Sequence, residues 1–290
     1  MAMTINTNVM SLNAQRNTAQ NSLSLSTTMA RLSSGLRVNS SKDDAAGMAI
    51  ADRMNTQVRG MNVAIRNAND GISLAQTAEG GLASMTEMLQ RMRELAVQAT
   101  NSTNTTGASG DIAKLNNEYG QLSQELSRML AATQFNGQSI LSGAADYAFQ
   151  VGANSAAENR ITISATDISL AAGAGSANFT AVASGGAASA LNLTSNLGNS
   201  ALLGSLDSAL SLVNERRATL GAVQSRFENT IAYLRTSVEN QSAARGRIMD
   251  ADFAAETANL SRTQVLQQAG TAMIAQANQT PQQVLQLLRG

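Results

Sequence analysis

The sequence predicts a mainly α protein: a long antiparallel coiled-coil helical rod with a small β-hairpin region and discontinuous domains. Three observations lead to this class. Apolar residues recur at alternating spacings of three and four in both halves of the chain. The 290 residues include a single proline, and the core-forming residues are aliphatic or Met, with no Trp, three Tyr and five Phe. Aliphatic side chains favour helices, and a chain almost without proline leaves room for very long ones.

The longest apolar series predicts a helix from Met54 to Ala99, roughly 70 Å long at the usual helical rise. Its members are Met54, Val58, Met61, Ile65, Ala68, Ile72, Ala75, Ala78, Leu82, Met85, Leu89, Met92, Ala96 and Ala99. The alternation slips once between Ile72 and Ala78, beside Gly80 and Gly81. Because such slips alter coiled-coil winding, we expect a local change of winding there.

Two further series predict helices that pack against the first. One consists of Ile112, Leu115, Tyr119, Leu122, Leu126 and Met129. The other consists of Leu203, Leu206, Leu210, Val213, Leu220, Phe227, Ile231, Leu234, Val238 and Ile248, with polar seam positions at Arg217, Gln224, Gln241 and Arg245. Three apolar seams of this length predict an antiparallel bundle with coiled-coil packing.

The middle of the chain has a different composition. Phe149–Gly152 and Arg160–Ile163 are short β-prone runs, and the loop between them predicts a hairpin. Residues 171–190 are rich in Gly, Ala and Ser, which predicts a flexible exposed loop. The predicted domains are therefore a terminal-helix domain of residues 1–43 and 251–290, a helical rod domain with the hairpin of residues 44–170 and 200–250, and a short flexible exposed segment of residues 171–199.

Both ends of the chain are nearly free of charge. Residues 1–30 contain one charged residue, Arg16, and residues 263–288 contain none. Their apolar stripes at helical spacing are Ile5, Val9, Leu12, Ala19 and Leu23 at one end and Leu266, Ala269, Met273, Ala277, Val284 and Leu287 at the other. A solvated helix normally carries charges opposite its apolar stripe, and these polar faces carry Asn, Ser, Thr and Gln instead.

Two interpretations of these ends remain open. They could pair with each other as a two-helix coiled coil, or both could be buried among copies of the same chain. We favour the second, because an isolated helical hairpin is marginal in water, and we expect the ends to become ordered on assembly. The predicted self-assembly residues are Ile5, Val9, Leu12, Leu23, Leu266, Met273, Val284 and Leu287.

Composition excludes several classes of function. Twenty basic residues balance twenty acidic ones, so nothing attracts the chain to nucleic acid or to an anionic membrane. The chain has no Cys and no His, which rules out disulfides and Cys/His zinc sites. No cofactor is expected, and the chain is predicted not to be an enzyme. Met1–Asn6 lacks the basic start and apolar run of a cleaved signal peptide, so we expect any export to use another route.

Charged residues cluster at two predicted joints between helices. In Ala30–Ala51, Gly35 is a helix stop, and Ser41 with Asp44 forms a capping-box-like start for the next helix. We expect a salt-bridged rim there, formed by Arg37, Lys42, Asp43 and Asp44. Adjacent carboxylates on a helix point about 100° apart, so they make a poor acid–base pair. The second cluster, Arg247, Asp250 and Asp252, is likewise predicted to be structural.

Several segments, in order along the chain, resemble the bacterial flagellin family. They are Ala30–Ala51, Leu89–Gln98 followed by Asn101–Asn104, Thr133–Gly137, Phe149–Asn154 and Ser261–Arg289. The resemblance covers about residues 1–165 and 200–290. The middle is short, so the large outer domains of many flagellins are expected to be absent.

The resemblance implies a structural subunit that polymerises with copies of itself into the extracellular flagellar filament and supports swimming. It also implies unfolded export by the flagellar type III apparatus, an export chaperone, and contacts with the flagellar cap and the hook–filament junction proteins. Host flagellin receptors are a further implied partner. The matching positions are Arg37, Asp43 and Asp44 for plant receptors, and Arg91, Leu95, Gln98 and Glu118 for the animal receptor.

Three other classes of protein compete with this interpretation. A hook–filament junction protein would be helical at both ends but would not form long polymers. An exported coiled-coil effector or adhesin would be a folded monomer with ends protected from protease. An enzyme is the weakest alternative, because Asp43, Asp44, Asp250 and Asp252 are its only candidate groups.

Overall fold

The computed structural model describes residues 7–107, 109–143, 145–171, 176–183 and 200–289. Five long helices dominate, namely α1 Val9–Ser34, α2 Ala45–Ala99, α3 Asp111–Ala132, α6 Ser200–Met249 and α7 Phe253–Arg289. The shorter elements are β1 Gln134–Phe135, β2 Gln138–Ser139, β3 Tyr147–Gln150, a 3-10 turn at Ala157–Asn159, β4 Arg160–Ile163, α4 Ala165–Ile168 and α5 Ser176–Ala183. The predicted mainly α fold with a small antiparallel hairpin is confirmed.

The chain forms two compact units. The terminal unit comprises Met1–Val58 with Glu239–Gly290, and the central unit comprises Arg59–Val238. Both ends of the chain therefore belong to one unit. The divisions fall inside α2 and α6, whereas we predicted them after residue 43 and before residue 251, where the helices end.

The predicted seams form the core of the central unit. On α2, the fully buried members include Leu82, Met85, Leu89 and Met92. They pack with Ile112, Tyr119 and Leu126 of α3 and with Leu206, Val213, Leu220 and Phe227 of α6. The 3.5-residue spacing thus identified much of the buried face of each long helix in this unit. In α6 it was one residue off at four positions, where Leu202, Ala209, Arg216 and Val223 are buried and the predicted Leu203, Leu210, Arg217 and Gln224 are half-buried.

The predicted slip in the α2 seam disappears in the structure. The buried series passes through Ala64 and Gly71 rather than Ile65 and Ile72, and with them the steps of three and four alternate without interruption. A Cβ placed on Gly71 would lie 2.6 Å from Cζ of Phe227, so only a glycine lets this ring reach the α2 backbone. The predicted slip, on which the expected change of winding beside Gly80 was based, is therefore wrong, because the seam position is held by the smallest residue and not by the nearest large one.

Two hairpins follow α3. The predicted one is confirmed with β3 paired antiparallel to β4, from Tyr147 opposite Ile163 to Gln150 opposite Arg160. The other, β1 with β2, was not predicted. Its two turn residues, Asn136 at φ 51° and Gly137 at φ 78°, both adopt left-handed backbone conformations, as a two-residue hairpin turn requires.

The prediction of an exposed loop is wrong for residues 176–183. These residues form α5, in which Phe179 and Val182 are fully buried in the central core. The buried hydroxyl of Ser123 on α3 donates to the Val182 carbonyl at 2.8 Å. The apolar side chains required for packing are too few to alter the composition of a Gly- and Ala-rich window. Residues 184–199 of the predicted segment lie outside the described residues.

In the terminal unit, backbone hydrogen bonds join the two predicted joints. Gly35 ends α1 in the left-handed conformation, at φ 72°. Its carbonyl accepts from the Ala251 amide at 2.9 Å, and the Arg37 amide donates to the Met249 carbonyl at 2.6 Å. Leu36 and Asp250 form an antiparallel bridge. Segments more than two hundred residues apart in the chain are thereby tied together.

Two details of the first joint differ from prediction. The cap of α2 is Asp44, whose carboxylate accepts from the Gly47 amide at 2.8 Å, and Ser41 instead contacts the Met48 sulfur at 3.4 Å. The salt-bridged rim is absent among the described residues. Arg37 donates to the Ile248 carbonyl, and Asp43 accepts from the backbone of its own turn. Backbone groups at helix ends need hydrogen-bond partners, and at this joint the charged side chains bond to those groups instead of to each other.

Candidate functional site

The antiparallel contact between α1 and α7 is made by small and polar residues. The Asn8 side-chain amide donates to the Ala277 carbonyl at 2.7 Å, and the Ser11 hydroxyl donates to the Asn278 side-chain oxygen at 2.8 Å. A Cβ on Gly270 would lie 2.6 Å from the Thr18 hydroxyl, so the helices approach closely at that point. Polar side chains therefore supply the hydrogen bonds of a contact that also includes the buried Ala277 and the half-buried Leu25 and Ile274.

The same face contains an ion pair near the joint. Arg31 on α1 lies 3.9 Å from Glu256 in the first turn of α7, and Glu256 is buried. Thr28 and Thr263 are also buried on this side of their helices. Side chains that usually lie in water thus form part of the contact, and of the large apolar stripe residues that the structure describes, Val9, Leu12, Leu23, Leu266 and Met273 stay exposed.

The predicted apolar stripes lie on the outside of the α1–α7 pair. Leu23 is 72% exposed and Met273 is 61% exposed. Val9, Leu12 and Leu266 are exposed as well. Ile5 lies outside the described residues, as do the side chains of Val284 and Leu287. A self-contained two-helix coiled coil would bury these stripes between its own helices, and the structure pairs the helices through the opposite kind of surface.

Sequence reasoning missed further apolar residues on this surface. Met10, Met29, Phe253 and Val265 are all exposed. Met10, Ala14, Leu266 and Met273, with several Asn residues of α1, line a groove of about 490 Å³ between α1 and α7. We call all these exposed apolar residues of α1 and α7 the terminal apolar surface. Met10 follows the stripe residue Val9 and Val265 precedes the stripe residue Leu266, so a wider helical face would have included both.

The residues assigned to animal receptors lie on α2 and α3 of the central unit. Arg91 pairs with Glu118 at 2.8 Å and with Glu94 at 3.0 Å. The hydrogen bond to Glu118 and, to a smaller extent, the one to Glu94 raise the pKa of the Arg91 guanidinium above its ordinary value. The Gln98 side chain is exposed, whereas Leu95 is 1% exposed and packs in the core. Arg91, Glu118 and Gln98 therefore lie on the surface, and the apolar Leu95 is buried.

The residues assigned to plant receptors lie in the first joint. The Asp43 carboxylate accepts from the Asn39 and Ser40 amides at 3.1 Å and 2.9 Å. The hydrogen bond from the Ser40 amide and, to a smaller extent, the one from the Asn39 amide hold the pKa of Asp43 below its ordinary value. Asp44 caps α2, so both carboxylates shape the backbone here. Asp52 and Lys42 add exposed charge nearby in the sequence.

The described residues contain neither a candidate metal-binding group nor a candidate membrane-spanning helix. No group of three acidic side chains is placed to hold a metal ion among them. None of the helices that they form has a continuous apolar stretch that could span a bilayer. A distinctive feature of the described surface is the exposed apolar residues of α1 and α7.

Known protein families match most of the chain. The bacterial flagellin N-terminal helical region matches residues 5–146, and the bacterial flagellin C-terminal helical region matches residues 203–288. A flagellin of Halalkalibacterium halodurans is 45% identical over 288 residues, which cover 99% of this chain and 100% of the relative. A flagellin of Bacillus subtilis is 39% identical over 307 aligned positions, with 99% and 100% covered.

A crystal structure of Bacillus cereus flagellin is 30% identical, with a TM-score of 0.46, and covers 62% of this chain and 94% of that one. Flagellins are structural proteins, not enzymes, and they are exported and self-polymerise into the extracellular flagellar filament used for motility. The two family matches and the full-length similarity of the relatives show that this chain belongs to the bacterial flagellin family.

Proposed function

We propose that the terminal apolar surface of α1 and α7 is the surface through which copies of this flagellin polymerise into the filament. The supporting observation is the inversion of polarity in this helix pair. Its contact face holds Ser11, Thr18 and Glu256, while Leu23 and Met273 face outward. Burying an exposed Leu, Met or Val side chain contributes about 1.5–3 kcal/mol, so covering several of them in a neighbouring copy strongly favours assembly.

The absence of charge on this surface supports the same proposal. Arg16 is the single charged residue of the first thirty, and residues 263–288 carry none. A packed interface that contains no fixed charges avoids the cost of desolvating them. Because α1 and α7 present different residues, a neighbour would meet a different face from the one it offers. Such heterologous contacts form open helical polymers when the rotation does not close.

The test replaces Leu23 by Gln, which removes apolar surface, adds no charge and keeps a helix-forming residue. We expect the critical concentration for polymerisation to rise about tenfold, since roughly 1.4 kcal/mol corresponds to a factor of ten. Sedimentation after adding filament fragments as seeds gives this concentration directly. Thermal unfolding of the subunit should not change, because Leu23 is 72% exposed.

Ser24→Gln is the matched control, because Ser24 is the next residue on α1 and is also exposed. This variant should polymerise like the parent protein. Equal polymerisation of Leu23→Gln and Ser24→Gln would refute the assigned surface. Electron microscopy of the seeded parent protein separates the alternatives for the whole chain: long filaments support a filament subunit, and short or absent growth supports a hook–filament junction protein.

Limited proteolysis separates the proposal from an exported effector or adhesin. Helices with an uncovered apolar face are easily opened in the free subunit, because few buried contacts hold them. We expect rapid digestion of both ends and a resistant fragment of about residues 45–250, where the buried seams lie. Ends that resist protease in the free subunit as firmly as the core would favour a self-sufficient monomer.

The other partners are proposals that follow from family membership and from the uncovered surface. A free subunit with exposed Val265, Leu266 and Met273 requires protection before assembly, and this supports an export chaperone on the carboxyl-terminal helix. The flagellar type III apparatus is the proposed export route. The cap and the hook–filament junction proteins are the proposed contacts at the two ends of the polymer.

Recognition by host innate immune receptors is also a proposal. On the central unit, an animal receptor would contact the exposed Arg91–Glu118 pair and Gln98, with the buried Leu95 supporting them from below. On the joint, a plant receptor would contact Arg37 and the Asp43–Asp44 turn. Arg91→Ala should lower activation of receptor-bearing reporter cells, whereas Arg128→Ala, which removes the comparably exposed Arg128–Glu125 pair of α3, should not. Equal responses to the two variants would remove the basis for the animal site.

A further inference from the structure

The methionines of this chain fall into distinct environments. Met61, Met85 and Met92 are buried in the seam of α2. Among the described residues, the strongly exposed methionines are Met10, Met29 and Met273, and all three lie on α1 or α7. The remaining described ones, Met48, Met54, Met88, Met129 and Met249, are half-buried. Exposed thioethers are thus concentrated on the terminal apolar surface.

Met10 and Met273 share one groove. Both line the cavity of about 490 Å³ between α1 and α7, together with Ala14 and Leu266. Met10 is 66% exposed, so its sulfur is accessible to small solutes in the free subunit. The contact that holds α1 to α7 uses other residues, among them Ser11 and Thr18. Chemistry at the two sulfurs therefore changes the outer surface while the hydrogen bonds of the helix pair stay in place.

An exposed thioether reacts with a peroxide without any catalyst. A sulfur lone pair attacks one peroxide oxygen, the O–O bond breaks, and water leaves once a proton has moved to the departing oxygen. The sulfur loses two electrons and the peroxide gains them. The product, methionine sulfoxide, is polar and accepts hydrogen bonds, and dedicated reductases return it to methionine. An apolar and flexible side chain becomes a strongly dipolar one.

We propose that Met10, Met29 and Met273 form a peroxide-sensitive modification site that blocks polymerisation of the free subunit. This inference rests on the proposed assembly role of the terminal apolar surface. Each sulfoxide adds an oxygen acceptor to a surface that a neighbouring copy has to bury, and a buried acceptor without a donor is costly. Once covered in a polymer, the same sulfurs lose contact with solvent, so free subunits are sensitive and assembled ones are resistant.

The experiment treats full-length subunits with hydrogen peroxide and locates sulfoxides by peptide mass spectrometry. We expect Met10, Met29 and Met273 to be oxidised at least about tenfold faster than Met85 and Met92, because rate follows exposure. Treated subunits should show a critical concentration about tenfold or more above that of untreated ones in seeded sedimentation. Methionine sulfoxide reductase should restore polymerisation, and polymers treated after assembly should keep these three residues reduced.

A variant with Met10→Leu, Met29→Leu and Met273→Leu is the control, because leucine has similar volume and no sulfur. Its critical concentration after peroxide should equal its own value before peroxide, whatever that starting value is. Equal loss in this variant and in the parent protein, or normal polymerisation of a parent protein oxidised at all three sites, would overturn the inference. If untreated parent protein fails to polymerise on seeds, the proposed assembly surface fails instead, and the order of oxidation by mass spectrometry still tests the exposed site.

Discussion

The central and terminal units of this flagellin place their apolar residues on opposite sides of their helices. In the central unit, Leu82 and Met85 of α2 are fully buried, and the outer faces carry ion pairs such as Arg93 with Asp207 at 2.6 Å. In the terminal unit, Ser, Thr and Asn side chains lie in the contact between α1 and α7, while Leu23, Leu266 and Met273 are exposed. The first arrangement is complete in one copy of the chain, and the second leaves apolar side chains that we propose other copies cover.

This difference shows that helical periodicity alone does not reveal which partner covers an apolar stripe. Both units have apolar residues at helical spacing. They differ in the other polar residues of those helices: many are charged in the central unit, whereas residues 1–30 and 263–288 carry almost exclusively uncharged amides and hydroxyls. A charged outer face indicates contact with water, and its absence indicates burial in a larger assembly.

The largest expected effect is in the central unit, at Phe227. Replacing Phe227 by Ala removes a fully buried ring that packs on Gly71 and against the edge of Phe149, whose ring centre is 5.5 Å away. We expect the free energy of unfolding to fall by about 3–5 kcal/mol, through lost burial and an unfilled cavity. Denaturant unfolding followed by circular dichroism measures this loss.

Tyr233→Ala is its control, since Tyr233 is also an aromatic residue of α6 but is 71% exposed. We expect a change of less than about 0.5 kcal/mol. Comparable losses in the two variants would mean that α6 does not hold its seam as described, and the contrast between the units would weaken.

Smaller effects on stability, opposite in sign to each other, are expected when two helical glycines are replaced by alanine. Gly270→Ala places a methyl group against the Thr18 hydroxyl, and overpacking of this kind costs about 1–3 kcal/mol. Gly221→Ala on α6 meets no atom within 4 Å and should stabilise that helix by about 0.5–1 kcal/mol. Hydrogen exchange of α1 and α6 amides reports each unit separately. Faster exchange in α1 for the first variant and slower exchange in α6 for the second are expected, and stabilisation by both would show that α1 and α7 are not closely packed.

The smallest expected effect is the pH dependence of the first joint. Hydrogen bonds from the Ser40 and Asn39 amides lower the pKa of Asp43, so its contribution to stability is present above the ordinary carboxyl pKa and is lost as pH falls through the lowered one. Amide exchange at Ser40 should therefore lose protection in acid. In Asp43→Ala that protection should be low at every pH, while Asp52→Ala should keep the parent profile. An acid transition that persists in Asp43→Ala would assign it to another group.

Much of the central unit could be predicted because its seam residues are large and apolar. Leu89 and Met92 follow the periodicity directly, but Ala64 and Gly71 were overlooked beside Ile65 and Ile72. Small residues occupy a seam when the partner is large, as Phe227 is here, and a single helix cannot reveal its partner. The β1–β2 turn had a usable signal, the dipeptide Asn136-Gly137, which favours two-residue hairpins.

The terminal unit was predictable in its stripes and its lack of charge, but not in how the two helices pair. Hydrogen bonds such as that from Asn8 to Ala277 depend on which residues meet across the contact, and periodicity carries no such information. For α5, the burial of Phe179 depends on tertiary packing, including the contact of α5 with α3, and its own sequence is dominated by small residues.

The backbone ties between Gly35 and Ala251, and between Leu36 and Asp250, join the beginning of the chain to its end. These bonds can form only after a loop of more than two hundred residues has closed, whereas the local hydrogen bonds within helices form without that closure. A polypeptide interrupted before α7 can build its central bundle yet leaves α1 without a companion. Only a chain that has been synthesised to its end can therefore present both α1 and α7 on its outer surface.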